Sequence, residues 1–258
     1  MPSSASAAHP EQLYLDLLKR CLTRTLFPDS SIIAGLAPYP AEFDAARRQD
    51  GRDWPSEAET MIGMLRLNNI QQCAEDALRN GVPGDFVETG VWRGGAAILM
   101  RAILAAYGDR TRQVWVADSF EGLPRPDPGH FPADAGDRHW ELSPYLAVSL
   151  DEVKRNFARY GLLDDQVRFL PGWFKDTLPR APIETIAVLR IDGDMYESTF
   201  EALTSLYPKL APGGYLIVDD YGALPNCKTA VHDYRKMFGI EDDIRTIDWT
   251  GVYWQKQA

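Results

Sequence analysis

Residues 85–104 read DFVETGVWRGGAAILMRAIL, and residues 114–118 read VWVAD. An apolar run closing on Glu88-Thr89 passes through a glycine turn into a helix-length stretch, and a second apolar run closes on Asp118. That is strand, turn, helix, strand, the repeating unit of a parallel sheet. The same texture continues outward in QVRFL (166–170), TIAVLRID (185–192) and GYLIVDD (214–220). Helix-length stretches separate these runs at about 94–107, 149–160 and 195–209, with a short turn near 173–178. All five runs are nearly continuous in apolar residues, which suits strands covered on both faces. IRTID and VYWQ, joined by WTG, are expected to pair as an antiparallel hairpin. The expected fold class is therefore α/β: a Rossmann-like, doubly wound, mostly parallel sheet with an antiparallel C-terminal edge.

Upstream, EQLYLDLLKRCLTRTLF spaces Leu13, Leu17, Leu18, Leu22 and Leu26 as an amphipathic helix. Residues 1–55 are read as an N-terminal tail and helical addition, and 56–258 as the main domain. A second helix is expected to start at Ser56, with Glu59 in capping-box register, and to stop at Asn80 before Gly81 and Pro83. Residues 121–147 are Pro-rich, charged and long for a connection, so they are read as a lid over the C-terminal strand ends.

The 258 residues carry 27 Lys+Arg against 37 Asp+Glu, a formal charge of -10. Such a chain opposes the long-range attraction that nucleic-acid binding uses. Cys21, Cys73 and Cys227 are far apart and form no CxxC pair, which speaks against a disulfide framework or a zinc site. No apolar run approaches a membrane span, and MPSSASAAHP lacks the basic start and apolar core of a leader, so a cytoplasmic protein without membrane association is expected.

The turn after the first strand decides the ligand class. A dinucleotide fingerprint requires glycine two residues after Gly90, where Trp92 stands. The pattern is instead Glu88-x-Gly90-x-x-x-Gly94, a form usual in S-adenosylmethionine (AdoMet) methyltransferases. Gly90 suits a tight turn, and Gly94 and Gly95 suit a close approach to the helix start. Asp118, at the tip of the next strand, is placed to accept both hydrogens of a ribose diol. Trp173-Phe174, after the third, complete an adenosine pocket. Further along, Asp192 and Asp194 end one strand and Asp219 and Asp220 the next. Parallel neighbours about 4.8 Å apart bring these carboxylates together, and their repulsion calls for compensation by a divalent cation. All-oxygen donors favour Mg²⁺, then Mn²⁺ or Ca²⁺.

The segments GRDWP, TMIG, ETGVWRGGA, VWVADSFEGLP, LRIDGDMYEST, YPKLAPGGYLIVDDY and TIDWTGVYW resemble the macrocin O-methyltransferase family, AdoMet- and Mg²⁺-dependent enzymes that methylate sugar hydroxyls on antibiotics. The resemblance covers roughly Gly51 to the C-terminus. It implies Asp192, Asp219 and Asp220 as metal ligands and Asp194 as general base. It implies cofactor contacts from Thr60, Met61, Glu88, Thr89, Gly90, Trp92, Arg93, Asp118, Ser119, Gly122, Trp173, Phe174 and Asp192. It also implies a small-molecule glycosylated acceptor and, at family level, a homodimer. A sugar hydroxyl is a poor nucleophile and needs the metal and a base more than a phenol does. His232 is the alternative base. A catechol or phenol acceptor, a nicotinamide-dependent oxidoreductase and a non-catalytic binding module are the competing readings; Trp92 opposes the second and the four carboxylates the third.

Overall fold

The computed structural model describes residues 9–32 and 42–257. The expected tail at 1–8, and residues 33–41 of the first connection, lie outside them. A seven-stranded sheet runs β3-β2-β1-β4-β5-β7-β6. Its strands are β1 Asp85–Thr89, β2 Val114–Asp118, β3 Val167–Pro171, β4 Ile186–Ile191, β5 Leu210–Val218, β6 Arg245–Thr246 and β7 Val252–Gln255. The first five are mutually parallel. β7 inserts antiparallel between β5 and β6, so the closing hairpin forms as expected and its second strand carries the reversal. The fold class read from the sequence is the one observed.

The helices in chain order are α1 Pro10–Leu22, α2 Ala45–Asp50, α3 Met64–Arg79, α4 Gly95–Ala106, α5 Ser143–Leu146, α6 Leu150–Arg159, α7 Phe174–Thr177, α8 Tyr196–Leu206 and α9 Pro225–Phe238. Residues Gly95 to Leu104 of α4 are all buried. A helix apolar around its whole circumference needs cover on the side away from its sheet, and α1 and α3 supply it. That cover comes from Leu15, Leu18 and Leu22 of α1, whereas Leu13 and Leu17, expected on the same stripe, are exposed. α8 and α9 cover the opposite sheet face, giving two apolar cores with the sheet between them.

The start of the second long helix corrects the sequence reading. α3 begins at Met64 with Gly63 as its N-cap, not at Ser56. Asp29, remote in sequence, takes the backbone N–H groups of Glu57 and Ala58 on its Oδ2 at 2.6 and 3.1 Å. Glu59 turns instead to Arg24, 3.1 Å away. Asp29 is itself held by Arg48, which also binds Asp53. A tertiary acceptor thus replaces the local capping box and leaves residues 53–63 as a non-helical strap.

Hydrogen bonding continues past the strand ends, from Gly90 N–H to the Ala117 carbonyl (2.9 Å), Asp192 N–H to Thr89 (2.9 Å) and Asp219 N–H to Ile191 (3.0 Å). The tips of β1, β2, β4 and β5 are therefore locked side by side. Gly90 has φ +78°, and a Cβ there would lie 1.7 Å from the Asp192 carbonyl oxygen. Its smallness serves the approach of two strand tips. Gly161 shares a positive φ, +67°, with nothing within 4 Å of the added carbon. Gly161→Ala is expected to cost only the backbone term, about 1–2 kcal/mol. Gly90→Ala must also displace backbone, so urea melts are expected to show a loss clearly above that of Gly161→Ala; equal losses would contradict the close-approach account.

Candidate active site

The site lies at the C-terminal edge of the parallel strands, where open α/β sheets place their ligands. Its floor is a network of charges. Arg190, the one basic residue in the apolar run of β4, points along the sheet and is 1% exposed. Its guanidinium holds Glu88 of β1 at 2.6 Å, Asp192 at 2.9 Å and Asp219 beyond β5. Arg66 of α3 binds Asp219 from the other side and Asp248 at 3.0 Å. Burial pushes Asp219 up, but Arg190 and Arg66 outweigh it and hold its carboxyl below the ordinary range.

Of the other carboxylates, Asp192 has only a share in Arg190, and Asp194 and Asp220 form no salt bridge among the described residues. Donor oxygens of Asp192, Asp219 and Asp220 lie within 4.8 Å of one another. Burial and the neighbouring Asp219 raise Asp192. Burial, then Asp192 and Asp194, raises Asp220 well above its usual value. Asp194 is pushed up to about 8 by burial and by Asp192 and Asp219. Glu88 also rises to about 8, since burial exceeds the pull of Arg190. The arginines hold Asp219 ionised; Asp192, Asp194 and Asp220 line the cavity, and of these only Asp192 shares Arg190, so ionising all three together lacks compensation from the protein. Hard oxygen donors at this spacing fit a divalent cation of the Mg²⁺ class.

The strand tips are also where the backbone is strained. Trp92, Phe120 and Asp194 follow β1, β2 and β4 and take positive φ of 47°, 60° and 57°. Such residues cost of order 1–3 kcal/mol each unless their surroundings hold them. The Trp92 indole N–H donates to the Tyr145 carbonyl at 3.1 Å, and Arg93 stacks on its ring. Phe120 N–H donates to Asp118 Oδ1 at 2.7 Å, and Asp194 N–H to Asp220 Oδ2 at 3.2 Å.

A cavity of about 340 Å³ stands over the floor, a size usual for small-molecule sites. Of the residues expected at the site, Thr60, Met61, Glu88, Gly90, Trp92, Asp118, Gly122, Asp192, Asp194, Asp219 and Asp220 line it. A smaller chamber opens beside it between the tips of β2 and β3 and the start of α8. Gly90, Asp118, Ser119, Gly122, Trp173, Phe174 and Asp192 line that one. Asp118, Gly90 and Asp192 lie at the junction of the two. Asp118 also ties the turns together, accepting Val91 N–H at 2.7 Å as well as Phe120 N–H.

Thr89 and Arg93 line neither space. Thr89 is fully buried, and the Arg93 guanidinium donates to the carbonyls of Pro55 (3.1 Å) and Ala58 (2.9 Å), fastening the strap. Gly95 likewise faces Glu59 and Thr60, so the space at the start of α4 admits the strap. His232 sits away from the cavity, its Nε2 paired with the Tyr221 hydroxyl at 2.8 Å.

Several cavity residues escaped the sequence reading: Arg66, Arg190, Trp54, Trp249 and His139. Arg190 had a signal, a charge inside an apolar strand, which demands a buried partner. The others come from outlying segments and had none. His139 belongs to the expected lid, which folds into short helical turns at 132–134 and 139–146. Lid residue Asp134 is fully buried, accepts the N–H groups of Tyr196 and Glu197 at 2.9 Å each and takes Asn226 at 3.0 Å. The lid is thereby pinned to α8 and α9.

The chain is similar to known proteins along nearly its whole length. The Macrocin-O-methyltransferase (TylF) family model matches residues 11–256. The 8-demethyl-8-(2,3-dimethoxy-alpha-L-rhamnosyl)-tetracenomycin-C 4'-O-methyltransferase of Streptomyces olivaceus is 56% identical over 246 residues, covering 95% of this chain and 93% of that protein. The demethyldecarbamoylnovobiocin O-methyltransferase of Streptomyces niveus is 57% identical over 247 residues, with the same coverage. The solved structure of the O-methyltransferase NovP superposes with a TM-score of 0.91 at 54% identity, covering 96% of this chain and all of that one.

The charge distribution sets the response to pH. Glu88 and Asp194, near 8, and Glu201 on α8, near 7, hold protons in the fold that the unfolded chain releases at ordinary carboxylate pKa values. With more protons bound in the native state, stability declines as pH rises through that window. Thermal melts without divalent cations are expected to drop between pH 6 and pH 8.5, by about 2–4 °C for each kcal/mol lost. A melting temperature that climbs over this interval contradicts the charge assignment.

Proposed function

We propose that this chain, which belongs to the macrocin O-methyltransferase family and is an O-methyltransferase, transfers a methyl group from AdoMet to a sugar hydroxyl of a glycosylated natural product with the aid of Mg²⁺. The observation that carries this reading is the carboxylate trio Asp192, Asp219 and Asp220, spaced to hold a cation, with Asp194 beside it, open to the larger of the two spaces and adjoining the aromatic chamber. The names of the two relatives support it, one being a 4'-O-methyltransferase of a rhamnosyl compound.

In this reading adenine occupies the chamber beside Trp173 and Phe174, the ribose lies at Asp118, and the methionine portion extends towards Thr60, Met61 and Trp92. AdoMet supplies the activated methyl group and departs as S-adenosylhomocysteine. A cation held by Asp192, Asp219 and Asp220 would supply the Lewis acidity that lowers a sugar hydroxyl's pKa. Asp194 accepts the hydroxyl proton: without a cation it holds a proton near neutral pH, and a cation bound beside it would favour its ionised, basic form. Its left-handed backbone, held by Asp220, aims it at the cavity. Arg190 and Arg66 keep Asp219 ionised as a ligand while leaving Asp192 and Asp220 to respond to the cation. Trp54, Trp249, Leu142 and Leu146 form an apolar wall, which suits the less polar face of a deoxysugar and its aglycone.

Turnover of glycosylated acceptors, followed by mass spectrometry for a product one methyl heavier, is expected to stop on exhaustive chelation and to return with Mg²⁺. Full activity after chelation would remove the metal from the reading. Asp194→Asn is expected to lower kcat by about 10²–10⁴-fold, with S-adenosylhomocysteine affinity unchanged. Near-normal turnover in that variant would move the base elsewhere.

A further inference from the structure

The lining of the smaller chamber includes a fully buried polar atom that the protein leaves without a partner. Glu197, in the first turn of α8, is 5% exposed. Its Oε2 is fully buried and accepts no hydrogen bond from any described residue. Buried polar atoms are almost always paired, because leaving them unpaired forfeits their hydration.

The ordinary explanations do not account for it. An acidic residue in a first helical turn usually serves the exposed N–H groups there. In α8 those of Tyr196 and Glu197 are already taken by Asp134, each at 2.9 Å. Lys175 lines the same chamber and its charge favours the ionised Glu197, but it donates no hydrogen bond to Oε2. The carboxylate faces a space bounded by the rings of Trp173 and Phe174 and by Ser119 and Ser198, open at Asp118 towards the large cavity. An aromatic slot lined by the carboxylates of Glu197 and Glu201, of which Glu197 carries the buried unpaired oxygen, fits a flat heterocycle bearing an exocyclic amine.

We propose that the Glu197 carboxylate accepts a hydrogen bond from the exocyclic amine of the cofactor's adenine and so selects adenine over other purines. The assignment rests on the reading of this chain as AdoMet-binding. Adenine presents N–H donors at that position. Hypoxanthine presents a carbonyl oxygen, whose lone pairs would meet those of the carboxylate.

Calorimetric titration with S-adenosylhomocysteine and S-inosylhomocysteine tests the proposal without turnover. The unmodified protein is expected to bind the adenosyl ligand at least about tenfold more tightly, the scale of one hydrogen bond to a charged group. Glu197→Ala should weaken the adenosyl ligand and bring the two affinities close together. Glu197→Gln, nearly isosteric and able to turn an amide N–H towards a carbonyl, should bind the inosyl ligand better than the parent does. Equal binding of both ligands by the unmodified protein overturns the proposal, and this comparison decides it even if a variant fails to fold. A full adenosyl preference in folded Glu197→Gln or Glu197→Ala overturns it as well. Binding of neither ligand by the unmodified protein would overturn the cofactor reading itself.

Discussion

The cation at Arg190 is the constraint on which the rest of the site depends. One guanidinium, buried in the central strand of the sheet, contacts carboxylates from β1, β4 and the end of β5. Removing one partner of a buried ion pair typically costs about 3–5 kcal/mol, because the other is left charged and unhydrated. Glu88, Arg190 and Asp219 therefore stabilise the fold only as a set. They also divide the acidic floor in two. Asp219 is held ionised by two arginines, while Asp192, with a share in Arg190, and Asp194 and Asp220, with none, cannot all be charged without a further cation. The arginine contacts fix where the strand tips stand, and the other carboxylates are left to respond to what enters the cavity.

Backbone strain follows the same geography. The three positive-φ residues at the strand tips are each braced by a contact from a different element: Trp92 by the lid, Phe120 by Asp118, Asp194 by Asp220. The braces themselves belong to the site. A movement of the lid would thus be felt at the β1 turn, and a change in charge at Asp220 at the backbone of Asp194. Close packing permits this coupling only because Gly90 lets the tips of β1 and β4 touch.

Much of the fold was legible because a buried parallel strand is written as a continuous apolar run, and β1 and β2 coincide with those runs, while the antiparallel β7 coincides with VYWQ. β5 begins four residues earlier than its apolar run, since its irregular start at Leu210 to Gly214 is set by pairing with β4. The capping box at Ser56 is a local rule, and Asp29 outcompeted it through contacts no local rule contains. The carboxylates could be placed because strand ends place them. Their compensation could not, since a sequence shows that Arg66 exists without showing that it spans 153 positions to reach Asp219. Divalent charge was inferred from repulsion alone; the arginines remove part of that argument and leave the part centred on Asp192, Asp194 and Asp220.

The formal charge of -10 acquires a different meaning in this light. As a total it only opposes polyanions. Resolved in space, it includes a carboxylate cluster enclosed by apolar and aromatic walls, where burial and the neighbouring carboxylates decide the charge of each group. The rest of the larger cavity's lining has a separate origin: Trp54 lies on the strap, Leu142 and Leu146 on the helical turns at 139–146, and Trp249 in the terminal hairpin. These segments are fastened by Arg48, Asp134 and the Trp249 indole N–H on the Asp50 carbonyl, none of them part of the sheet. The sheet edge thus sets the charge pattern of the cavity, whereas its apolar lining is set by segments whose positions follow least directly from local sequence.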